Sequence, residues 1–434
     1  MNTARRSVSR RAALGWAALL GALFFLVYGA VNAWTATRTG VASLHLPWER
    51  HIPFLPWTVI PYMSSDLLFV AAFLLCRDSA ALRRLAARIA FAILVSAACF
   101  LIMPLQYAFA RPEAGGLPGA LFSLLSWDLP YNQFPSLHIS LAIVLWPVFA
   151  ARLRGAARIA AAAWFVLIAI STLTVYQHHA IDLAGGALVG ALALHFFPMQ
   201  SAPRVPVTRA HRRMAWRYGL GTGVLVALAG LNGGVALILL YPALSGVLVA
   251  GAYAGGRSDF LVKRAGGFCP VTLLLFAPYL FGSWLGWRYH RRRDVAWCEI
   301  APGLLLGRRL GEREARALIA ERGVAAVLDL APELTAPPAF TALAYRHLPV
   351  LDFTAPSREQ RDTARAFIAT QRGPVYVHCA LGYLRSVRLL EALLLHAGAE
   401  PAAVAALLRA KRPRHVAAVL SSAAADASTA RGLL

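Results

Sequence analysis

Nine apolar runs occupy most of the first two thirds of this chain, and their length decides what it can fold into. A helix crosses the hydrocarbon core of a bilayer with about 20 apolar residues. Runs of that order lie at 12–34, 57–76, 85–105, 137–151, 157–176 and 181–197, then, after a basic linker at 201–217, at 218–239, 241–255 and 268–287. Asn232-Gly233-Gly234 and Pro242 offer breaks in the seventh and eighth. Charged residues are 15% of the 434 and mean hydropathy is +0.58, against about 25% charged in an average soluble domain. A disordered chain is excluded, and a wholly soluble one is disfavoured. The first run follows a basic cluster, as in a signal peptide. It is longer than a typical signal core and more spans follow, so it reads as an anchor.

The net charge of +23 does not read as a nucleic-acid surface, because the arginines sit between apolar runs. Arg5, Arg6, Arg10 and Arg11 precede the first span. Arg77, Arg83, Arg84 and Arg88 follow the second, Arg152, Arg154 and Arg158 the fourth, and Arg204, Arg209, Arg212, Arg213 and Arg217 the sixth. Alternate loops are basic and should be cytoplasmic. Loops 35–56, 106–136 and around 177–180 then face outward. Of the 43 basic residues only Lys263 and Lys411 are lysines, which reads as compositional bias and not as a binding code. The five cysteines, three of them in apolar runs, imply no disulfide framework.

The outward loops hold the reactive side chains. One contains Arg111-Pro112; the next span opens on Pro135-Ser136-Leu137-His138; the fifth ends in Gln177-His178-His179-Ala180-Ile181-Asp182. His178 and Asp182 are one helical turn apart, so the carboxylate can fix the imidazole tautomer. An imidazole so held can attack phosphorus, His138 can protonate the leaving oxygen, and Arg111 can hold phosphoryl oxygens. This is a set for phosphoryl transfer without a metal.

Over roughly residues 50–200 the chain resembles the type 2 phosphatidic acid phosphatase superfamily, which has six core helices and the motifs K-x6-RP, PSGH and SR-x5-H-x3-D. Arg111-Pro112 ends the first motif, with Pro104 at its lysine position; Pro135-Ser136-Leu137-His138 has leucine for glycine; Ser171 is followed by Thr172 where arginine is expected, then by His178 and Asp182 at the family spacing. The resemblance implies His178 as nucleophile, Asp182 as its orienting partner and His138 as acid/base, with Ser136 and Arg111 at the phosphate and His179 in support. The N-x-F-P-S-L-H form and the doubled histidine are more similar to the branch of inositol phosphorylceramide and sphingomyelin synthases, which transfer head groups.

After Arg291-Arg292-Arg293 the composition changes, and residues 294–434 suffice for one domain. Strands at 304–306, 325–330, 344–350 and 375–378 alternate with helices at 312–322, 358–371 and 386–396, which predicts an α/β domain. The strand ending in His378 runs into Cys379-Ala380-Leu381-Gly382-Tyr383-Leu384-Arg385-Ser386 and then a helix. Such a loop points backbone N–H groups inward as an anion cradle, favouring a thiolate at Cys379. Arg385 supplies a bidentate fork, Gly382 relieves the turn, and Ser386 stabilises the departing sulfur. Asp352, after the preceding strand, is the candidate general acid.

These residues resemble the dual-specificity, cysteine-dependent phosphatases, and the likeness spans about 299–413. It includes Ile300-Ala301-Pro302-Gly303-Leu304, Leu328-Asp329-Leu330 with Glu333, and His378 beside the nucleophile. It implies a phosphocysteine intermediate, no metal or other cofactor, and phosphotyrosine, phosphoserine/threonine or lipid phosphate as substrate. The joined arrangement is similar to a known bacterial two-phosphatase fusion.

The expected fold is thus a polytopic α-helical membrane domain (1–200, six-helix core; about nine helices with those of 201–293) followed by an α/β dual-specificity phosphatase domain (294–434). The expected function is an integral membrane phosphatase on lipid phosphates, working through phosphocysteine and a second, histidine-dependent site. The alternatives are a head-group phosphotransferase with an attached phosphatase, and a membrane-anchored protein phosphatase. Expected partners are membrane lipids and a phosphorylated lipid or phosphoprotein, with no nucleic acid. The expected location is the bacterial inner membrane with the histidine site outward. Nine spans from a cytoplasmic N-terminus place the cysteine domain outside. Arg288 and Arg291–Arg293, and the reducing conditions a thiolate needs, favour the cytoplasm.

Overall fold

The computed structural model describes residues 8–125, 129–199, 204–293 and 295–412. Arg5, Arg6, linker residues 201–203 and the stretch 413–434 assigned above to the phosphatase domain lie outside the described residues. The chain divides into two units, 1–200 and 201–434.

The first unit is helical: α1 (Arg10–Ala36), α2 (Val59–Leu74), α3 (Ser79–Ile102), α4 (Gly116–Leu124), α5 (Leu137–Ala150), α6 (Gly155–Thr174) and α7 (Ala180–Phe196). Ser9 caps α1 by accepting from Ala12 N–H at 3.2 Å, and Asp78 caps α3 by accepting from Ala81 N–H at 2.7 Å, so polar residues start these helices where apolar runs alone would not. Leu20, Phe73, Ile89, Val144 and Val189 share one buried cluster. Small residues let α7 lie against the start of α5: a Cβ on Gly186 would come within 2.3 Å of the Ser136 carbonyl oxygen. Close approach through small residues is how helices pack where lipid offers no hydrophobic drive. Helix α4 was not expected in the 106–136 loop.

The second unit begins with α8 (Arg209–Asn232) and α9 (Leu240–Ala254). The break expected at Asn232-Gly233-Gly234 is present, with both glycines at positive φ. A two-stranded hairpin, β1 (Lys263–Arg264) and β2 (Gly267–Phe268), precedes α10 (Pro270–His290). The α/β part follows: β3 (Trp297–Ala301), β4 (Leu304–Arg308), α11 (Glu312–Arg322), β5 (Ala326–Asp329), α12 (Pro338–Thr341), β6 (Ala344–His347), α13 (Arg358–Ala369), β7 (Val375–Cys379), α14 (Arg385–His396) and α15 (Pro401–Lys411). The sheet order is β3-β4-β7-β5-β6, parallel except for β3. Every residue of β5 and β7 is buried, as strands covered on both faces must be. Strand β6 stops at His347, short of the expected 350: Leu348 N–H makes the last regular ladder bond, to the Asp329 carbonyl at 2.8 Å, and Val350 N–H then slips out of register to the Leu330 carbonyl at 3.1 Å. The hairpin, β3, α12 and α15 were not expected.

Among the described residues, seven helical stretches are long and apolar enough to cross a membrane, and α5 and α7 are apolar but shorter. The helical count therefore agrees with about nine, and the chain is a membrane protein on this evidence. The second unit groups α8–α10 with the phosphatase fold, whereas composition divided them at 294.

Candidate active sites

Cys379 ends β7, the central strand, at the carboxyl edge of the sheet, where ligands bind in open α/β folds. Its side chain is 2% exposed. Gly382 N–H points at Sγ from 3.3 Å and Ser386 Oγ–H from 3.4 Å, so two donors already face the sulfur. Gly382 has φ +70, and a Cβ there would meet the Gly307 carbonyl at 2.7 Å. Only glycine suits both the backbone conformation and the space. Arg385 opens α14 and is buried. Its Nη1 and Nη2 grip the Glu333 carboxylate at 2.9 and 2.5 Å, Nη1 also donates to the Val350 carbonyl at 3.1 Å, and Nη2 lies 3.2 Å from Asp352 Oδ1. The fork is thus oriented by Glu333, and Asp352 reaches the same guanidinium. Asp352 is partly exposed, accepts from Phe353 N–H at 3.0 Å, and offers its carbonyl to the Tyr253 hydroxyl at 3.1 Å.

Next to Cys379, fully buried His378 places Nδ1 3.8 Å from Asp329 Oδ1. Asp329 also accepts from Lys263 Nζ at 2.6 Å and from the Tyr345 hydroxyl at 2.6 Å. Burial alone would raise the Asp329 pKa, but the Lys263 ammonium, then His378 and His347, hold it below the usual carboxylate range. Burial lowers both His378 and His347, the latter to about 4.

In the first unit, the end of α6 and the start of α7 carry the histidines. His178 Nδ1 is 3.5 Å from Asp182 Oδ2, and its ring centroid is 6.0 Å from that of His138, which stacks on Tyr62 at 4.2 Å. Ser136 N–H donates to the Asp182 carbonyl at 2.9 Å, tying the α5 start to this pair. Ser136 Oγ, His178 Nδ1 and Asp182 Oδ1 are buried without a hydrogen bond, as polar atoms are where a ligand or water completes the set. So His138, His178, Asp182 and Ser136 are brought together. Arg111 reaches the same turn, donating to the carbonyls of Val175 at 3.0 Å and Tyr176 at 3.4 Å, with its guanidinium over Phe122.

His179 stands apart in role. Its Nε2 accepts from Ala108 N–H at 3.1 Å, its Nδ1 faces Glu49 Oε2 at 2.8 Å, and it stacks on Tyr107 at 4.3 Å. Both ring nitrogens are used, so His179 supports the turn. Glu49 was not singled out from sequence. The available signal was a carboxylate in the 35–56 loop of a unit that has few. Glu333 was noted only within the resemblance, and Lys263 was read as compositional.

Two regions of the chain match known families. Residues 85–205 match the model of the PAP2 superfamily, and residues 308–399 match a family described as a polymorphic toxin system DSP-PTPase phosphatase. Tk-PTP in its active form is similar at 26% identity over 29% of this chain and 95% of its own, with a TM-score of 0.26. Human DUSP28 is similar at 23% identity over 28% and 84%, with a TM-score of 0.24. No curated protein matches the chain. A PAP2-type membrane part joined to a DSP-type phosphatase domain makes this chain a phosphoric monoester hydrolase.

Proposed function

We propose that the chain hydrolyses lipid phosphates at the membrane through a phosphocysteine intermediate on Cys379, and carries a second, histidine-dependent phosphoryl-transfer site in its first unit. The observation that carries the reading is the convergence on Sγ of the Gly382 and Ser386 donors, with Arg385 held bidentately beside them. In the first step Sγ forms a bond to phosphorus as the ester oxygen leaves and takes the Asp352 proton. In the second, water attacks phosphorus, its proton returns to Asp352, and Ser386 stabilises the departing thiolate. Asp352 leaves Arg385 when phosphoryl oxygens occupy the fork.

This division of labour predicts that Asp352→Asn slows alkyl phosphate hydrolysis more than aryl. An aryl oxide leaves with little help, and general acid catalysis is worth about 10²–10⁴-fold. Steady-state kcat/KM on paired substrates measures it; equal slowing removes Asp352 as the acid.

For the first unit, Pro104 and Thr172 stand where the family's motif has cations. Thr172 Oγ1 donates to the Ala169 carbonyl at 2.8 Å and supplies no charge. This favours head-group transfer to an alcohol as the second reading for that site. Product analysis with a labelled lipid separates the two: free phosphate, or a new phosphodiester lipid.

The path of α10 supports a cytoplasmic phosphatase domain. The hairpin before α10 contacts the domain through Lys263 and through Gly266, whose carbonyl accepts from Ala336 N–H at 2.9 Å. Near the other end, Trp287 Nε1 donates to the Arg309 carbonyl at 2.9 Å and packs on Ala331, Leu334 and Ala380. With both ends on one soluble fold, α10 lies along it and does not cross. Its outer residues Phe281, Trp284 and Tyr289 are exposed and suit a bilayer surface. Within the second unit, only α8 and α9 are then read as a crossing pair. Reporter fusions after residues 256 and 293 are expected on the same, cytoplasmic side. Opposite sides would make α10 a span.

A further inference from the structure

We infer that Lys263, which lies outside the phosphatase fold in the hairpin between α9 and α10, is a positioning residue of the Cys379 site. The inference rests on the phosphocysteine reading above. Lys263 Nζ is one of two lysine ammoniums in a chain that otherwise uses arginine, and its side chain is 1% exposed. It uses three donors in three directions: Asp329 Oδ2 at 2.6 Å, the Ala331 carbonyl at 2.8 Å and the Leu334 carbonyl at 2.7 Å. A compact ammonium fits three converging acceptors, where a planar guanidinium prefers a bidentate partner.

The two carbonyls matter most. They flank Glu333, whose carboxylate grips both terminal nitrogens of Arg385. Lys263 therefore closes the 331–334 loop from behind, the loop presents Glu333, and Glu333 aims the Arg385 fork at phosphoryl oxygens. Asp329, the third acceptor, is itself tied into that loop, since Ala331 N–H donates to its Oδ1 at 2.9 Å. The catalytic unit thus starts before residue 294, and a domain cut at that boundary lacks the group that sets its arginine.

The test uses the full-length protein in nanodiscs, with orthovanadate as the phosphoryl mimic and an aryl phosphate as substrate. Lys263→Met is expected to weaken vanadate binding about tenfold or more, the loss that goes with a charge-assisted contact, and to lower kcat/KM mainly through KM. It also leaves Asp329 without its cation, so the midpoint of thermal unfolding should fall. The double variant Lys263→Met/Asp329→Asn removes that unpaired charge. It is expected to recover the midpoint while vanadate binding stays weak, because the 331 and 334 carbonyls remain unclamped. If vanadate affinity recovers with the midpoint, or Lys263→Met binds vanadate within twofold of the parent, the positioning role is wrong. Should the single variant not fold, the double variant decides alone by the same readout. A parent that binds vanadate directly but does not turn over the aryl phosphate marks failure of the phosphocysteine reading instead.

Discussion

Full-length protein carrying Cys379→Ser is expected to lose aryl phosphatase activity by at least about 10³-fold, the order of loss when a covalent nucleophile is removed and only binding groups remain. The side chain swap changes little else. Cys379 is buried at the end of a strand paired on both sides, and a hydroxyl fits where the sulfur sits between Gly382 N–H and Ser386 Oγ–H. Those donors and the Glu333-held Arg385 remain, so vanadate should still bind. The expected signature is retained oxyanion affinity with no turnover, read by calorimetry and by release of the aryl alcohol. Activity within about tenfold of the parent would require another nucleophile. The experiment needs the chain that precedes residue 294 in the second unit, because Lys263 and α10 contact the loops that build the site.

In both sites the sequence discloses the central residues and not their supports, and the reason is distance along the chain. Cys379, Gly382, Arg385 and Ser386 lie within eight residues, because one strand, one loop and one helix start build the cradle. His178 and Asp182 are one turn apart for the same reason. Each of their supports comes from far away. Glu333 is 52 residues from Arg385, Lys263 is 66 from Asp329, and Glu49 is 130 from His179. A lone carboxylate or ammonium carries no period and no motif, so only the fold reveals that it is paired. Burial then makes the pairing obligatory, since an unpartnered buried charge is costly. The apolar runs were legible because span length is a physical constant of the bilayer. What they could not say is which helices cross. Helix α10 has the composition of a span, yet its two ends meet the same soluble fold. Helix α4 and the 263–268 hairpin are short and have no clean periodicity, so tertiary contacts decide them.

His178→Ala is the second large effect expected, and it should fall on the membrane unit alone. In vesicles containing a fluorescent lipid phosphate, the Cys379→Ser background isolates whatever chemistry the first unit performs. Adding His178→Ala there is expected to remove the residual turnover by about 10³-fold or more, because His178 faces both Asp182 and His138 while His179 is locked by Glu49 and Ala108. His178→Ala on its own should leave aryl phosphate hydrolysis by Cys379 at the parental rate, since the cradle draws its donors from Gly382, Ser386 and Arg385. If the Cys379→Ser background already shows no lipid turnover of any kind, with neither phosphate nor a new phosphodiester formed, the first unit is an anchor. The His178–Asp182 pair and the Ser136 N–H bond to the Asp182 carbonyl would then serve only to tie the start of α5 to α7.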